Sequence, residues 1–553
     1  MKSSSFSIVI SHILAGIRLY KKVFCGVALI SFSALAQAPL DIRIALIIGN
    51  SDYINFPKLA NPGNDANSMS AVLTRLGFKV IRVSDGTKEQ METAITQMQA
   101  FLKGKQAVAM LYYAGHGLQL NWHNYMVATD SQIDKAEDIP KETIDIDRVL
   151  QAFKNSSTRL NIIVLDACRD NPFESKSSGR GLSQVDAPIN TYISFATAPG
   201  NVALDGNSDS ANGLYTQYIL KELQRPAPVE DMFKRVRLQV RKASHGAQIP
   251  WDSTSLEVDF AFNDGNKFTL TPNESSQKKS EGIQEFKTLK NQDRITEFST
   301  QMTEWHPIKR SLNANDYYSY LDQYPSGLLA EQCIAKLNQL APAKITEQAD
   351  QHGIIQRPNE QRFRVGDEYE LVTRDGFTGR VIGRSSRRVE KIENGLVYIA
   401  QLKEPGVYVS VLTLYGATVK SLLPSGTYEY DPPKPFQPAE VLQVGKKWAS
   451  VSIETHANKE DSSLVNGKVL SFEKLIVPAG TFNTYKVSVQ TQNPSLGVVA
   501  ESLYWFEPGW GIPIKTVKKG ELRQGVGIYE IEDLVFRKRG REVRFIQNQN
   551  STY

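Results

Sequence analysis

Cysteine is scarce in this chain: three in 553 residues, at Cys25, Cys168 and Cys333. So few cannot form a disulfide framework. Charge of one sign is also lacking. The 64 Lys and Arg against 59 Asp and Glu leave a formal charge of +5, so the bulk balance gives no reason to expect nucleic acid as a partner. The basic stretch Arg537-Lys538-Arg539-Gly540-Arg541 reads as a solvated tail. No apolar run is long: residues 23–35 are too few to span a bilayer comfortably. No convincing internal repeat is found. What remains is an ordinary globular composition, 41% apolar, over a length that suggests roughly three or four structural units.

Lys21 and Lys22 precede that apolar run, and Ala34-Leu35-Ala36 closes it. A charged region, an apolar region and an A-x-A site together make residues 1–36 a secretory signal peptide by expectation, cut after Ala36. Cleavage after Ala38 would leave Pro39 next to the scissile bond. The twenty residues before Lys21 are long for such a leader, which leaves open a start downstream of Met1 and a retained anchor. No cysteine follows the apolar run, which argues against a lipoprotein. The expected location is therefore periplasmic or secreted, with no stable membrane span after cleavage.

Residues 42–262 alternate in period. Largely apolar runs at 42–48, 108–113 and 161–165 read as buried strands, and residues 79–83 and 192–196 read as further strands. Helical spacing fills 64–76, 87–102, 145–153, 213–223 and 229–242, with Thr87 as a cap. Strands alternating with helices predict a mostly parallel sheet covered on both faces. A polar linker at 263–291, a helical segment at 292–342 and a second linker at 343–360 follow. In the helical segment Trp305, Tyr317, Tyr320 and Leu321 read as packing anchors and Cys333 as a buried residue. Residues 361–545 switch to period two, broken by Gly, Pro and Asn394-Gly395, and predict an all-β accessory domain, a sandwich or a barrel. That domain has no clustered His, Cys or paired carboxylates, and suits a binding or scaffolding role with an unknown partner.

Two strand ends carry chemistry. Residues 108–113 run into Ala114-Gly115-His116-Gly117, and residues 161–165 into Asp166-Ala167-Cys168-Arg169. Both put a reactive side chain just past the carboxyl end of a buried strand, where open α/β sheets bind ligands. A thiol needs a nearby base to become a nucleophilic thiolate at neutral pH, and His116 on a neighbouring strand supplies one. The glycines allow a sharp turn, the N–H groups of Gly117 and Cys168 form a candidate oxyanion hole, and Arg169 is a neighbour that would lower the thiol pKa. His123 and His245 are rival bases without the strand-end placement.

Tyr113-Ala114-Gly115-His116-Gly117 and Asp166-Ala167-Cys168-Arg169 resemble the caspase-like peptidase clan, and most of all bacterial metacaspase- and paracaspase-type proteins. The histidine lies 52 residues before the cysteine, against about 50 in caspases. Asn64-Asp65-Ala66, Ser194-Phe195-Ala196-Thr197-Ala198-Pro199-Gly200 and Gln248-Ile249-Pro250-Trp251 fit the same group, so the resemblance covers residues 42–262. It implies an α/β/α sandwich and peptide-bond hydrolysis through a thioester, with Cys168 as nucleophile and His116 as base. No third catalytic member is named. Asp166 stands where caspases proper carry glutamine, and with Asp65 it implies a first specificity pocket lined by carboxylates; Asp205 is a lesser candidate. Such a pocket favours cleavage after Arg or Lys. Residues 194–200 are a candidate strand for pairing with substrate backbone.

No cofactor or metal is expected. Calcium, a partner or self-cleavage at Lys176 or Arg180 in the 174–184 loop stays open as an activator, as some relatives show. The competing reading is a catalytically silent caspase-like scaffold whose β domain does the binding.

Overall fold

The computed structural model describes residues 42–121, 123–169, 187–198, 211–263, 265, 283–344, 362–423, 426–493, 498–521 and 527–540, with backbone alone at 168–169, 283–295, 498–499 and 521. The signal-peptide segment, the 174–184 loop and Asp205 lie outside the described residues.

Arg43–Gly49 (β1) is buried along its whole length, as a strand covered on both faces must be. Pro62–Arg75 (α1) starts with proline in its first turn, where the missing N–H costs nothing. Lys79–Ser84 (β2) pairs parallel with β1. Lys88–Leu102 (α2) opens on Thr87 and Gln90, which exchange side-chain and backbone hydrogen bonds in a complete capping box. Val108–Leu120 (β3) lies on the other side of β1 and is longer than the apolar run predicts. Its far half pairs antiparallel with His123–Val127 (β4), and after the single turn Ile139–Glu142 (α3) the chain adds Thr143–Asp145 (β5) to that ladder. Asp145 caps Ile146–Asn155 (α4). Leu160–Arg169 (β6), Thr191–Phe195 (β7), Leu214–Glu222 (α5), Val229–Ala243 (α6) and Trp251–Thr254 (β8) complete the domain.

The sheet order is β2-β1-β3-β6-β7-β8, parallel as far as β7, with β8 antiparallel at the edge. Alternate residues of the central strands face opposite ways. Ile47, Tyr112 and Val164 pack with α1, α5 and α6; Leu46, Leu111 and Ile163 pack with α2 and α4. The result is the α/β/α sandwich that alternating buried strands and amphipathic helices require.

Three helices follow: Ile283–Ile308 (α7), Ala314–Gln323 (α8) and Ala330–Leu340 (α9). The first starts inside the expected polar linker, since a polar composition does not by itself forbid helix. Trp305, Tyr317, Tyr320, Leu321 and Cys333 share one core, and burial pushes the Cys333 thiol up, away from reactivity. Among the described residues no helix is long and apolar enough to cross a membrane.

The C-terminal domain is a closed barrel of twelve antiparallel strands, from Glu368–Asp375 to Gly527–Lys538, with the first and last strands paired. Period-two alternation leaves sandwich and barrel equal; the long-range pairing of first and last strands decides between them. Asn394 and Gly395 both take positive φ, 51° and 75°, as a two-residue I′ hairpin demands.

The barrel rests against the α/β domain at the end of β8. Lys447 Nζ donates to the Leu256 carbonyl at 2.9 Å, and Gln332 of α9 donates to Ser450 Oγ at 2.9 Å. Gly445 sits at φ +88°, and a Cβ there would strike the Thr254 carbonyl oxygen. Gly445→Ala combines left-handed strain with a backbone collision. It is expected to cost about 2 kcal/mol, read as a lower melting temperature or a split calorimetric transition. An unchanged transition would mean that the two domains are not held together at this point.

Candidate active site

The β3–β6 ladder continues to the ends of both strands, pairing Ala114 with Asp166, Gly115 with Ala167, His116 with Cys168, and Gly117 with Arg169. The sequence reading puts His116 and Cys168 just past the ends of their strands. Both instead lie in extended backbone within the sheet, because β4 and β6 give this stretch of β3 hydrogen-bonding partners. The glycines accordingly serve something other than a sharp turn. Gly115 has φ +155°, and a Cβ on it would lie 2.5 Å from the Tyr53 hydroxyl and 2.7 Å from that of Tyr113.

Those two hydroxyls grip the histidine backbone. The Tyr53 hydroxyl accepts the His116 N–H at 2.8 Å, and the Tyr113 hydroxyl lies 2.5 Å from the His116 carbonyl. Burial pushes both phenols well above their usual range, so both stay protonated. Tyr53→Phe leaves the His116 N–H without this acceptor. The expected loss is about 1–2 kcal/mol of stability, read from the urea midpoint; a midpoint equal to wild type would show that the bond carries nothing.

The imidazole is set by its surroundings. Its ring lies against Tyr53, with centroids 4.6 Å apart, and near Phe56 at 5.8 Å. Nε2 is 2.8 Å from the Pro57 carbonyl oxygen. A carbonyl only accepts, so Nε2 carries the hydrogen and Nδ1 is left as the basic nitrogen. The Pro57 carbonyl thus stands where a third, orienting member would. A backbone acceptor leaves no residue-type signal, which is why the motifs name none.

A second group of residues forms beside this pair. Asp65, in the first turn of α1, is 3% exposed; its Oδ1 accepts the Gly213 N–H at 3.0 Å and Asn212 Nδ2 at 2.9 Å. Asp166 Oδ2 accepts from Thr216 Oγ1 at 2.6 Å, and that oxygen is 2.5 Å from the Tyr112 hydroxyl. The two carboxylates converge on one spot. A Cβ placed on Gly213 would lie 3.2 Å from Asp65 Oδ2 and 3.7 Å from Asp166 Oδ2. Their shared field also reaches Tyr112, whose phenol is pushed well above its usual value by burial and then by Asp166 and Asp65. Asn212, Gly213, Thr216 and Tyr112 carry no local motif and emerge only once α5 meets α1 and β6.

The other candidates fall elsewhere. His123 opens β4, with Nδ1 3.1 Å from carboxylate oxygens of both Asp145 and Asp147; His245 follows α6 at φ +51°. Residues 194–196 are not available as a substrate strand. β7 is already flanked by β6 and β8, and Ala196 donates to Leu165 and accepts from Gln248. Of that segment Thr197 and Ala198 remain among the described residues.

Residues 42–261 match the Caspase domain family. The human mucosa-associated lymphoid tissue lymphoma translocation protein 1 is 29% identical over 183 residues, 33% of this chain and 22% of that protein. A paracaspase of Dictyostelium discoideum is 26% identical over 190 residues, 33% of this chain and 44% of that one. The chain thus spans about a fifth and under half of these relatives. Among solved structures, the Drosophila initiator caspase Dronc aligns with 43% of this chain and 91% of its own, at 15% identity and a TM-score of 0.31. Residues 42–261 thus form a caspase-like domain of the metacaspase and paracaspase type.

Proposed function

We propose that this chain is an exported cysteine endopeptidase that cleaves proteins after Arg or Lys, with Cys168 as nucleophile and His116 as base. The observation that carries the reading is the register of His116 with Cys168, with two carboxylates converging beside them. His116 Nδ1 takes the thiol proton, and the thiolate adds to the scissile carbonyl carbon. The N–H groups of Gly117 and Cys168 receive the oxyanion. The imidazolium then gives its proton to the leaving amine as the C–N bond breaks, and a thioester remains. Water, deprotonated by the same nitrogen, releases the carboxylate product and restores the thiol. Asp65 and Asp166 face a substrate guanidinium or ammonium; Arg suits paired carboxylates best because its planar fork binds bidentately. Asp205 joins the proposal as a third pocket carboxylate. The chemistry requires no cofactor.

The test is hydrolysis of paired fluorogenic peptides ending in Arg, Lys or Asp by the chain from Gln37 onward, with and without calcium, beside Cys168→Ala. Cleavage after Arg or Lys that is lost in Cys168→Ala is the expected result. Cleavage after Asp would overturn the pocket and keep the enzyme. Silence under every condition would favour the scaffold reading. A calcium requirement, or new fragments ending at Lys176 or Arg180, would identify the activator.

A further inference from the structure

Asp65 and Asp166 bring two carboxylates towards one spot beside Gly213, and ionised groups so placed repel each other. Hydrogen-bond donors are needed to keep both charges there. For Asp65 the donors come from the turn into α5: the Gly213 N–H and Asn212 Nδ2 both reach Oδ1. For Asp166 the donor is Thr216, three residues after Gly213 and so on the same side of α5.

The hydroxyls behind Asp166 have one order. The Thr216 hydroxyl donates to Asp166 Oδ2 at 2.6 Å. A hydroxyl has a single proton, so the 2.5 Å bond between Thr216 Oγ1 and the Tyr112 hydroxyl is donated by Tyr112. Tyr112 keeps the proton it donates, because burial, and then Asp166 and Asp65, hold its phenol well above the usual range. A hydroxyl that accepts one bond donates a stronger one, so Tyr112 strengthens the hold of Thr216 on Asp166.

Burial separates the roles. Asp166 is half-buried, whereas Thr216 and Tyr112 are both 0% exposed. A substrate side chain can meet the carboxylate and cannot meet the hydroxyls behind it. Thr216 is itself fixed through its neighbour: the Tyr215 hydroxyl donates to Ser194 Oγ of β7 at 2.6 Å. The ammonium of lysine is a compact charge on a flexible stem and can follow a carboxylate that shifts. The guanidinium of arginine is a rigid planar fork and needs its acceptors in fixed places.

We propose that Thr216, backed by Tyr112, is a positioning residue for specificity: by fixing Asp166 against Asp65 it makes the pocket prefer Arg to Lys. The inference rests on the peptidase reading above and adds to it the choice between the two cations.

The experiment measures kcat and KM of the full mature chain on two fluorogenic peptides that differ only in ending in Arg or Lys. Wild type is expected to favour Arg. Thr216→Val has the branched shape without the hydroxyl. It should lower kcat/KM about thirtyfold for Arg and about threefold for Lys, mainly through KM, so that the Arg-to-Lys ratio falls about tenfold. Thr216→Ser returns the hydroxyl and should bring the ratio within about twofold of wild type. Tyr112→Phe removes the donor to Thr216 and should lower the ratio about threefold. Circular dichroism checks the fold of each variant, and Tyr112→Phe decides should Thr216→Val not fold. A wild-type preference for Lys, equal losses on the two peptides, or a ratio that Thr216→Ser leaves low overturns the inference and keeps the peptidase. An unchanged ratio in the deciding variant does the same. No cleavage of either peptide by wild type, with or without calcium, removes the peptidase reading and this inference with it.

Discussion

His116→Ala is expected to lower kcat/KM for an Arg-ending peptide by about 10³–10⁴-fold, and Cys168→Ala to remove hydrolysis altogether. The difference has a physical basis. Without the imidazole a thiol still ionises to a few per cent at neutral pH, so slow attack persists and should rise with pH as more thiolate forms. Without the sulfur there is no nucleophile. The double variant should match Cys168→Ala, because the two side chains act on one bond and their losses do not add. Active-site titration with a thiol-reactive peptide ketone separates the cases: His116→Ala should label slowly and faster at high pH, and Cys168→Ala not at all. Labelling of His116→Ala at the wild-type rate would remove the histidine from the mechanism. The backbone grip by Tyr53 and Tyr113 makes this a clean test, since it holds the main chain at residue 116 whatever the side chain.

Asp166→Asn and Asp65→Asn are each expected to reduce kcat/KM for Arg-ending substrates by about 100-fold, near 2.7 kcal/mol. Asn keeps an oxygen in place, so Asp65→Asn can still accept the Gly213 N–H and Asn212, and Asp166→Asn can still accept from Thr216. What changes is charge. With both carboxylates present a guanidinium finds two negative groups at one spot; with one removed the pocket holds half the compensation for desolvating that cation. Because both act on the same ligand charge, the double variant should lose less than the product of the single losses. Both variants should close the gap between Arg-ending peptides and uncharged ones, a specificity change that mere loosening of the fold would not give. Equal losses on Arg-ending and neutral peptides would mean that the carboxylates hold α1, α5 and β6 together and do not read the substrate. Gly213 belongs to the same test: any side chain there would occupy the space between the two oxygens.

Much of the α/β domain was legible in the sequence. Buried parallel strands must be continuous apolar runs, and amphipathic helices must repeat every three to four residues; both periods are local, so β1, β6, α2 and α6 stand close to where the pattern puts them. The register of His116 with Cys168 was anticipated for a related reason, since each stands at the end of an apolar run. Strand ends were not: β3 runs on through His116 to Leu120 because β4 and β6 supply partners that come from elsewhere in the chain. The same holds for the Pro57 carbonyl, the Gly213 amide and Thr216, which take part through position and carry no distinguishing type.

By itself, then, the order of residues determined the layered α/β domain and the all-β C-terminal domain and singled out Cys168 and His116 as candidates, because each is written in local period or local chemistry. Only the tertiary structure decided that the β domain closes into a twelve-stranded barrel, and that Gly213 leaves room between the Asp65 and Asp166 carboxylates. Those features depend on which distant surfaces meet, and hydrophobic periodicity records that a face is buried without recording against what.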